Sequence, residues 1–464
     1  MVEPQSNDAA AVPSAAPEKL DFKRILPILV IVLVDLLGMT IIIPLLPLYA
    51  TMFGANALVI GLLGATYPIM QFIGAPILGR LSDHYGRKPI LLVSQLGTLL
   101  GFVVLGFAGA LWALFVSRFI DGLSGANIAT AQAAIADSTT EKNRTQGLGL
   151  IGAAFGLGFI IGPIIAFVSL GLSGNDYRVP AFIAAFFSLL SILLTAFWFR
   201  ETRNPAHGAA AKKNAFSFGA MFHALTHPAV GVLLILLFAQ QLAFGGFEQL
   251  LALFTLNRLG LNASGNAAVF VFVGLIIVAV QGGFVGKWSR KYGDRKLVLA
   301  GLLLLCLGLG LTALTPMLPP PWYHQAAVTR ELSGNASAQT HGLAIALPPD
   351  VNTGWLGLAW LLLAMIPTAI GGAMLQPTLN SLITKRVAPT EVGGILGVSI
   401  AMLSLANAIA PILGGAIFQF AGASAPFWAW AATMGILFGI ASATVKPGRE
   451  ESAPPGLARA SAGH

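Results

Sequence analysis

Charge is scarce in this chain. Asp, Glu, Lys and Arg make up 9% of its 464 residues, where a water-soluble chain carries about a quarter. So few charges cannot cover a surface that faces water, so lipid must solvate most of the molecule. The mean hydropathy of +0.81 agrees. Cysteine occurs once, at Cys306, which excludes an internal disulfide and a cysteine-ligated metal cluster. It sits in the apolar run Leu302–Leu311 and reads as a small buried residue. None of the seven histidines lies inside an apolar run. His223 and His227 are spaced i, i+4 but have no third ligand nearby, and they read as exposed loop residues. Metal motifs, a nucleophile elbow and a phosphate-binding loop are all missing. The chain therefore reads as neither an enzyme nor a holder of a metal or cofactor. Without a nucleotide site, energy has to come from an ion or substrate gradient.

What is present is apolar length. About 20 apolar residues cross a bilayer as a helix. Twelve stretches qualify, near 25–50, 57–79, 89–108, 111–135, 146–169, 179–199, 228–254, 267–288, 297–317, 355–384, 393–418 and 424–445. The net charge of +8 does not point to nucleic acid, because the basic residues sit in short loops between these runs. Of the 26 Lys and Arg, 22 fall on the side of the termini, 3 on the other side, and Arg118 lies within a span. That asymmetry places both termini in the cytoplasm and favours an even number of spans.

A charged loop motif occurs twice, each time between apolar runs. Gly79–Lys88 reads GRLSDHYGRK and Gly286–Arg295 reads GKWSRKYGDR, 207 residues apart. Ile161-Gly162-Pro163 resembles Ile409-Ala410-Pro411 in the same way. The expected fold is an all-α membrane protein with twelve transmembrane helices in two pseudo-symmetric six-helix bundles. Its parts are a disordered tail (1–22), a first bundle (23–200), a linker with an interfacial helix (201–227), a second bundle (228–446) and a second disordered tail (447–464). The second half has gained residues in its outer loop, 316–354, which is rich in proline and reads as an irregular cap or a mobile loop.

Charges inside lipid cost on the order of 2.5–3.5 kcal/mol each, and four fall well inside spans: Asp35, Arg118, Asp121 and Glu248. Arg118 and Asp121 are three apart and share a helix face. One reading makes them a proton-linked pair facing a central cavity; the other makes them a structural ion pair. Asp35 reads as a proton carrier, as a partner for Arg118, or as both. Gln241, Phe244 and Glu248 fall on one face that suits a lipophilic cation, although Glu248 also lies near the outer end, where water reaches it. Gln71, Gln132, Gln376, Asn380 and Asn407 are polar positions that either contact a substrate or bond neighbouring helices. The glycines of the fifth span, including Gly158 and Gly162 beside Pro163, allow close helix contact.

These residues together resemble the major facilitator superfamily, and within it the twelve-helix drug:proton antiporters. Gly79, Asp83, Gly86, Arg87 and Lys88 match the family's loop 2–3 motif. Asp35 to Pro47 is similar to its helix 1 motif, and Arg118 to Gly125 to its helix 4 motif. Gly149, Gly158, Gly162 and Pro163 match the antiporter motif of helix 5. The stretch Gly79–Pro163 is most similar to bacterial tetracycline exporters. Those exporters carry carboxylates in helices 3 and 9, whereas Pro89–Leu111 and Lys296–Leu318 contain none; tetracycline is not the expected substrate.

The resemblance implies alternating access by rocking of two halves, with Asp83 and Arg87 gating near the start of helix 11 and Arg118 tuning a proton-carrying carboxylate. It implies proton-coupled efflux of small lipophilic compounds by a monomer in the bacterial inner membrane, with a small-molecule substrate, protons and the bilayer as partners and no nucleic acid. An importer of a small metabolite and a non-transporting receptor or scaffold are the competing readings.

Overall fold

The structure is a computed structural model that describes residues 22–125, 127–139, 141–202, 225–226, 230–333, 345–387 and 392–445. The expected tails, most of the linker with His223 and His227, and the middle of the 316–354 loop lie outside the described residues.

Among the described residues all regular structure is helical. The first half holds α1 (Phe22–Ile42), α2 (Leu46–Thr51), α3 (Ala57–Tyr85), α4 (Arg87–Gly106), α5 (Leu111–Ser124), α6 (Asn127–Ser138), α7 (Glu141–Ser173) and α8 (Arg178–Phe197). The second half holds α9 (Gly231–Leu259), α10 (Ala263–Val278), α11 (Val285–Tyr292), α12 (Asp294–Ala313), α13 (Gln325–Leu332), α14 (Trp355–Thr384), α15 (Val392–Ala421) and α16 (Ala425–Thr444). A π-helical turn, Ala279–Phe284, joins α10 to α11. In lipid every backbone group must bond internally, which is why long apolar runs become helices.

Among the described residues eleven helical stretches are long and apolar enough to cross a membrane. The remaining expected span, 111–135, consists of two shorter helices, α5 and α6, with a break after Ser124. The Gly125 N–H bonds the Gly122 carbonyl at 3.1 Å, and the Gln71 amide donates to the Gly125 carbonyl at 2.9 Å. A side chain from α3 thus satisfies the backbone that the break exposes, which makes the break tolerable inside lipid. The first span is also divided: α1 stops ahead of Pro44, and α2 restarts with Pro47 in its first turn.

The loop motifs end and restart helices in the same way in both halves. Gly86 (φ +105) and Gly293 (φ +82) occupy the left-handed region at the turns from α3 to α4 and from α11 to α12. Only glycine takes that conformation without strain.

Within the first half α1 packs on α7 and α8, and α4 on α5 and α8; within the second half α12 packs on α14 and α16, and α9 on α15. The halves meet chiefly through α3 against α15 and α7 against α10. These are the second and eleventh spans and the fifth and eighth, as two-fold pseudo-symmetry requires. The α3–α15 contact is backbone to backbone. A methyl group on Gly61 would strike the Pro411 carbonyl, and one on Gly415 would strike the Ala57 carbonyl. The Ala57 N–H donates to Gln419 Oε1 at 3.2 Å. All of this lies at the end of the molecule away from the loop motifs, the distal end. The halves are in close contact at the distal end.

Candidate functional site

Arg118 and Asp121 lie on α5, and their side chains meet at 3.0 Å. Arg118 is 4% exposed and Asp121 is 2% exposed. The guanidinium also stands 5.5 Å from the centre of the Phe102 ring of α4, and Nη2 donates to Ser117 Oγ at 3.1 Å. An isolated charge at this depth is very costly, and the pairing with an aromatic face above it offsets part of that cost.

Asp121 borders a cavity of about 20 Å³ that is also lined by Asp35, Leu36, Met39, Tyr67, Thr98, Phe102 and Gly125. That volume just exceeds what one water needs. Two of the expected carboxylates, Asp35 on α1 and Asp121 on α5, therefore share one polar chamber. The sequence reading missed Tyr67 and Thr98. Tyr67 lies one turn before Gln71 on α3 and accepts a hydrogen bond from its amide at 3.2 Å; that i, i+4 spacing of two polar side chains in an apolar run was the available signal.

Glu248 does not line this chamber. It is half-buried on α9, in the second half, with Gln241 and Phe244 on the same helix. Phe244 packs into the space left by Gly372 of α14. Gln241 Nε2 donates to Asn407 Oδ1 of α15 at 2.8 Å, so two of the expected substrate residues bond each other across helices. Gln71 bonds the helix break described above. Gln376 is exposed on α14, while Asn380, one turn on, has a buried Oδ1 without a hydrogen-bond partner among the described residues. Gln132 is half-buried on α6.

At the motif end, Arg87 is the centre of a clamp. Nη1 bonds Asp83 Oδ1 at 2.6 Å and Ser82 Oγ at 2.7 Å, and Nε bonds Asp137 Oδ2 of α6 at 2.9 Å. Glu201, beyond α8, accepts the backbone N–H groups of Arg87 at 2.9 Å and Lys88 at 3.0 Å. Its carboxylate caps the positive end of α4. Lys88 Nζ donates to the Ala196 carbonyl near the end of α8 at 2.8 Å.

The second half repeats the clamp with its central charges reversed. Asp294 occupies the place of Arg87. It is 1% exposed, accepts from Ser289, and bonds Ser381 of α14 at 2.5 Å and Lys385, the C-cap of α14, at 3.1 Å. Lys385 stands where the first half has Asp137. Arg295 takes the role of Lys88, donating to the carbonyls of Val445 at 2.6 Å and Ser442 at 3.1 Å, around the end of α16. The sequence showed the reversal within the loop but not its partner on α14.

On α7, Gly158 lies beside Leu36 and Thr40 of α1, and a methyl group on Gly162 would collide with Thr40. Across the halves, a methyl group on Gly274 of α10 would press on the Phe159 carbonyl. Pro163 follows directly, inside α7. The fifth-span glycines therefore serve close contact between α7 and α1, on the helix that also touches the other half.

The chain is similar to known transporters over most of its length. It is 29% identical over 415 residues to the class B tetracycline resistance protein of Escherichia coli, covering 88% of this chain and 92% of that one. It is 30% identical over 417 residues to the class E protein of Escherichia coli, covering 88% and 91%. Multidrug resistance protein 2 of Bacillus subtilis (strain 168) is 25% identical over 391 residues, covering 84% and 87%. Among solved structures, the human organic anion transporter MFSD10 (TETRAN) superposes with a TM-score of 0.60 at 22% identity, covering 91% of this chain and all of that one. The nucleoside transporter NupG does so with 0.67 at 12% identity, covering 91% and 99%. The fold and the relatives are those of transporters, not enzymes, and the family model of the Major Facilitator Superfamily matches residues 28–351; the chain belongs to that superfamily.

Proposed function

We propose that this transporter exports small lipophilic compounds in exchange for protons. The observation that carries this reading is that Asp35 and Asp121 line one water-sized chamber while Arg118 pairs with Asp121. Two carboxylates and one guanidinium leave one unit of negative charge when all are ionised. A buried site of that charge binds a proton readily. Arg118 is the counter-ion that a proton on Asp121 would replace, and Tyr67 and Thr98 give water or a proton a polar path between the two acids. The tetracycline and multidrug resistance relatives support efflux as the direction.

In this reading the bundles are residues 23–200 and 228–446, working as one monomer in a bacterial inner membrane. The excess of Lys and Arg on the termini's side makes the motif end cytoplasmic. With the distal end closed, the structure is not the outward-facing state. Asp83, Arg87 and Lys88, with Gly79 and Gly86, gate that end, and Gly158, Gly162 and Pro163 let α7 move against its neighbours. Phe244 and Glu248, with Gln376 and Asn380, offer an aromatic and acidic wall to a lipophilic cation. The absence of acidic side chains from 89–111 and 296–318 directs the substrate away from tetracycline, whose exporters carry carboxylates there.

The test uses inside-out vesicles with a pH-sensitive dye and an imposed proton gradient. Lipophilic cations, tetracyclines and sugars are added in turn. Collapse of the gradient by particular compounds, lost in Arg118→Ala, supports antiport. Silence towards every compound sinks the proposal.

A further inference from the structure

The outer loop between α12 and α14 is a folded cap in its described parts. Tyr323 Oη donates to the Pro348 carbonyl at 2.7 Å, the Gln325 N–H to Asp350 Oδ1 at 2.7 Å, and the Gly354 N–H to the Pro319 carbonyl at 2.8 Å. Helix α13 of this cap packs on α2 of the first half. From α13, Glu331 reaches both halves through one oxygen. Oε2 accepts from Asn175 Nδ2, in the turn between α7 and α8, at 3.3 Å. It also accepts from Asn262 Nδ2, the N-cap of α10, at 3.1 Å. The distal closure therefore carries an acid at its seam.

The hydrogen count at this seam is short. Glu331 Oε1, Asn175 Oδ1 and Tyr177 Oη are all buried, and among the described residues none has a well-formed hydrogen bond. With Glu331 ionised, the nearby donors are the Tyr177 hydroxyl and the Ala263 N–H, and neither completes a hydrogen bond to these three oxygens among the described residues. A proton on Oε1 supplies a further donor and leaves Oε2 to the two amides. Buried acceptors left unpaired are costly, so the closed seam favours the protonated acid.

We propose that Glu331 is a second proton-binding site of this transporter, outside the membrane spans, and that a proton bound there holds the distal end closed. Opening that end draws Asn175 away from Glu331 and returns the carboxyl to water. The electrostatics run the same way. Burial pushes the Glu331 carboxyl above its usual range, although the amide bonds from Asn262 and Asn175, the Ala263 N–H and Tyr177 pull it back in part. Among the described residues the titratable group facing it is Tyr177, itself raised well above the ordinary tyrosine value by burial and by Glu331, and so neutral. Asp176, Arg178 and Arg330 are close in sequence to the seam, but their side chains are exposed. Because the acid's pKa is raised in the closed state, proton-assisted closure is complete below the ordinary Glu value and fades as pH rises through the raised one. Each unit between the two values changes the closed-to-open ratio by about tenfold. In the orientation proposed above, a proton taken from outside would drive the empty exporter back towards the cytoplasm. The seam itself rests only on the chain being a transporter.

The test is a distance measurement on purified protein in lipid nanodiscs. Spin labels at Leu172→Cys and Phe420→Cys, both exposed at the distal ends of α7 and α15, are read between pH 8 and pH 5 in a Cys306→Ser background. The short, closed distance is expected to gain population as pH falls. Glu331→Gln, a neutral side chain with a donor in place, should stay closed throughout. Asn175→Asp puts a second carboxylate beside Glu331 at a left-handed residue (φ +65) that aspartate tolerates, and it should raise the midpoint by about one pH unit. A pH response unchanged in Glu331→Gln overturns the proposal, as does opening on acidification. If Glu331→Gln does not fold, an unmoved midpoint in Asn175→Asp overturns it alone. The same series in Asp121→Asn separates this site from the chamber. Closure that still follows pH there, while dye-detected exchange is lost, assigns the response to Glu331; closure that no longer follows pH overturns it.

Discussion

Arg118 and Asp121 sit one turn apart on the same helix, with guanidinium and carboxylate 3.0 Å apart and almost no water contact. The bond is local, but its surroundings are not. Phe102 stands beside the arginine, and Asp35 shares the aspartate's chamber. An ion pair that served only to neutralise itself would have no need of a second acid and a cavity beside it.

Breaking this pair from one side should be costly in stability. Arg118→Ala leaves a buried carboxylate uncompensated and is expected to destabilise the protein by about 3–5 kcal/mol. Asp121→Asn leaves the arginine buried without its counter-ion but retains an oxygen acceptor, and should destabilise it less. Thermal unfolding in detergent ranks the two. In vesicles Asp121→Asn should lose substrate-driven proton movement at least tenfold while still binding substrate.

The Gln241–Asn407 bond gives a different expectation. If it joins α9 to α15, either alanine substitution should cost about 0.5–1.5 kcal/mol. The double alanine variant should then cost much less than the sum. A large rise in KM with additive losses would mark the two as substrate contacts instead.

The twelve spans were legible because a bilayer imposes one length and one solvent, so runs of apolar residues report them directly. The in-span charges were legible for the same reason, since lipid makes each of them conspicuous. The break after Ser124 was not, because Gly125 is one of many glycines and the amide that rescues it, Gln71, comes from another helix. The chamber was half legible: Asp35 and Asp121 stood out by charge, while Tyr67 and Thr98 became polar neighbours only through packing. Glu331 was invisible in a loop full of proline, because its partners Asn175 and Asn262 lie far away in sequence.

Gly61 and Gly415 should not tolerate a larger residue. Gly415→Ala drives a methyl group into the Ala57 carbonyl, and overpacking of this kind costs about 1–3 kcal/mol. That cost falls on the distally closed state, so the equilibrium should shift towards distal opening. The spin-label pair at positions 172 and 420, in the Cys306→Ser background, should then show a larger population of the long, open distance.

The reversed clamp of the second half predicts rescue by exchange. Asp294→Lys places a cation beside Lys385 and should abolish folding or transport. Adding Lys385→Asp restores opposite charges at the site and should recover part of both, read as monodisperse protein in size-exclusion chromatography and as vesicle activity. Failure of the double variant where the single ones also fail would mean that the serine bonds to Asp294 dominate.

The reversal also bears on how the chain assembles. Six helices of the first half enter the membrane before their counterparts are made, and two clamps of one polarity would compete for each other's partners. Here Arg87 straying to α14 meets Lys385, and Asp294 straying to α6 meets Asp137. Each encounter is repulsive, so each bundle recognises its own helices during synthesis, and the two halves of a duplicated architecture stay distinct while sharing one bilayer.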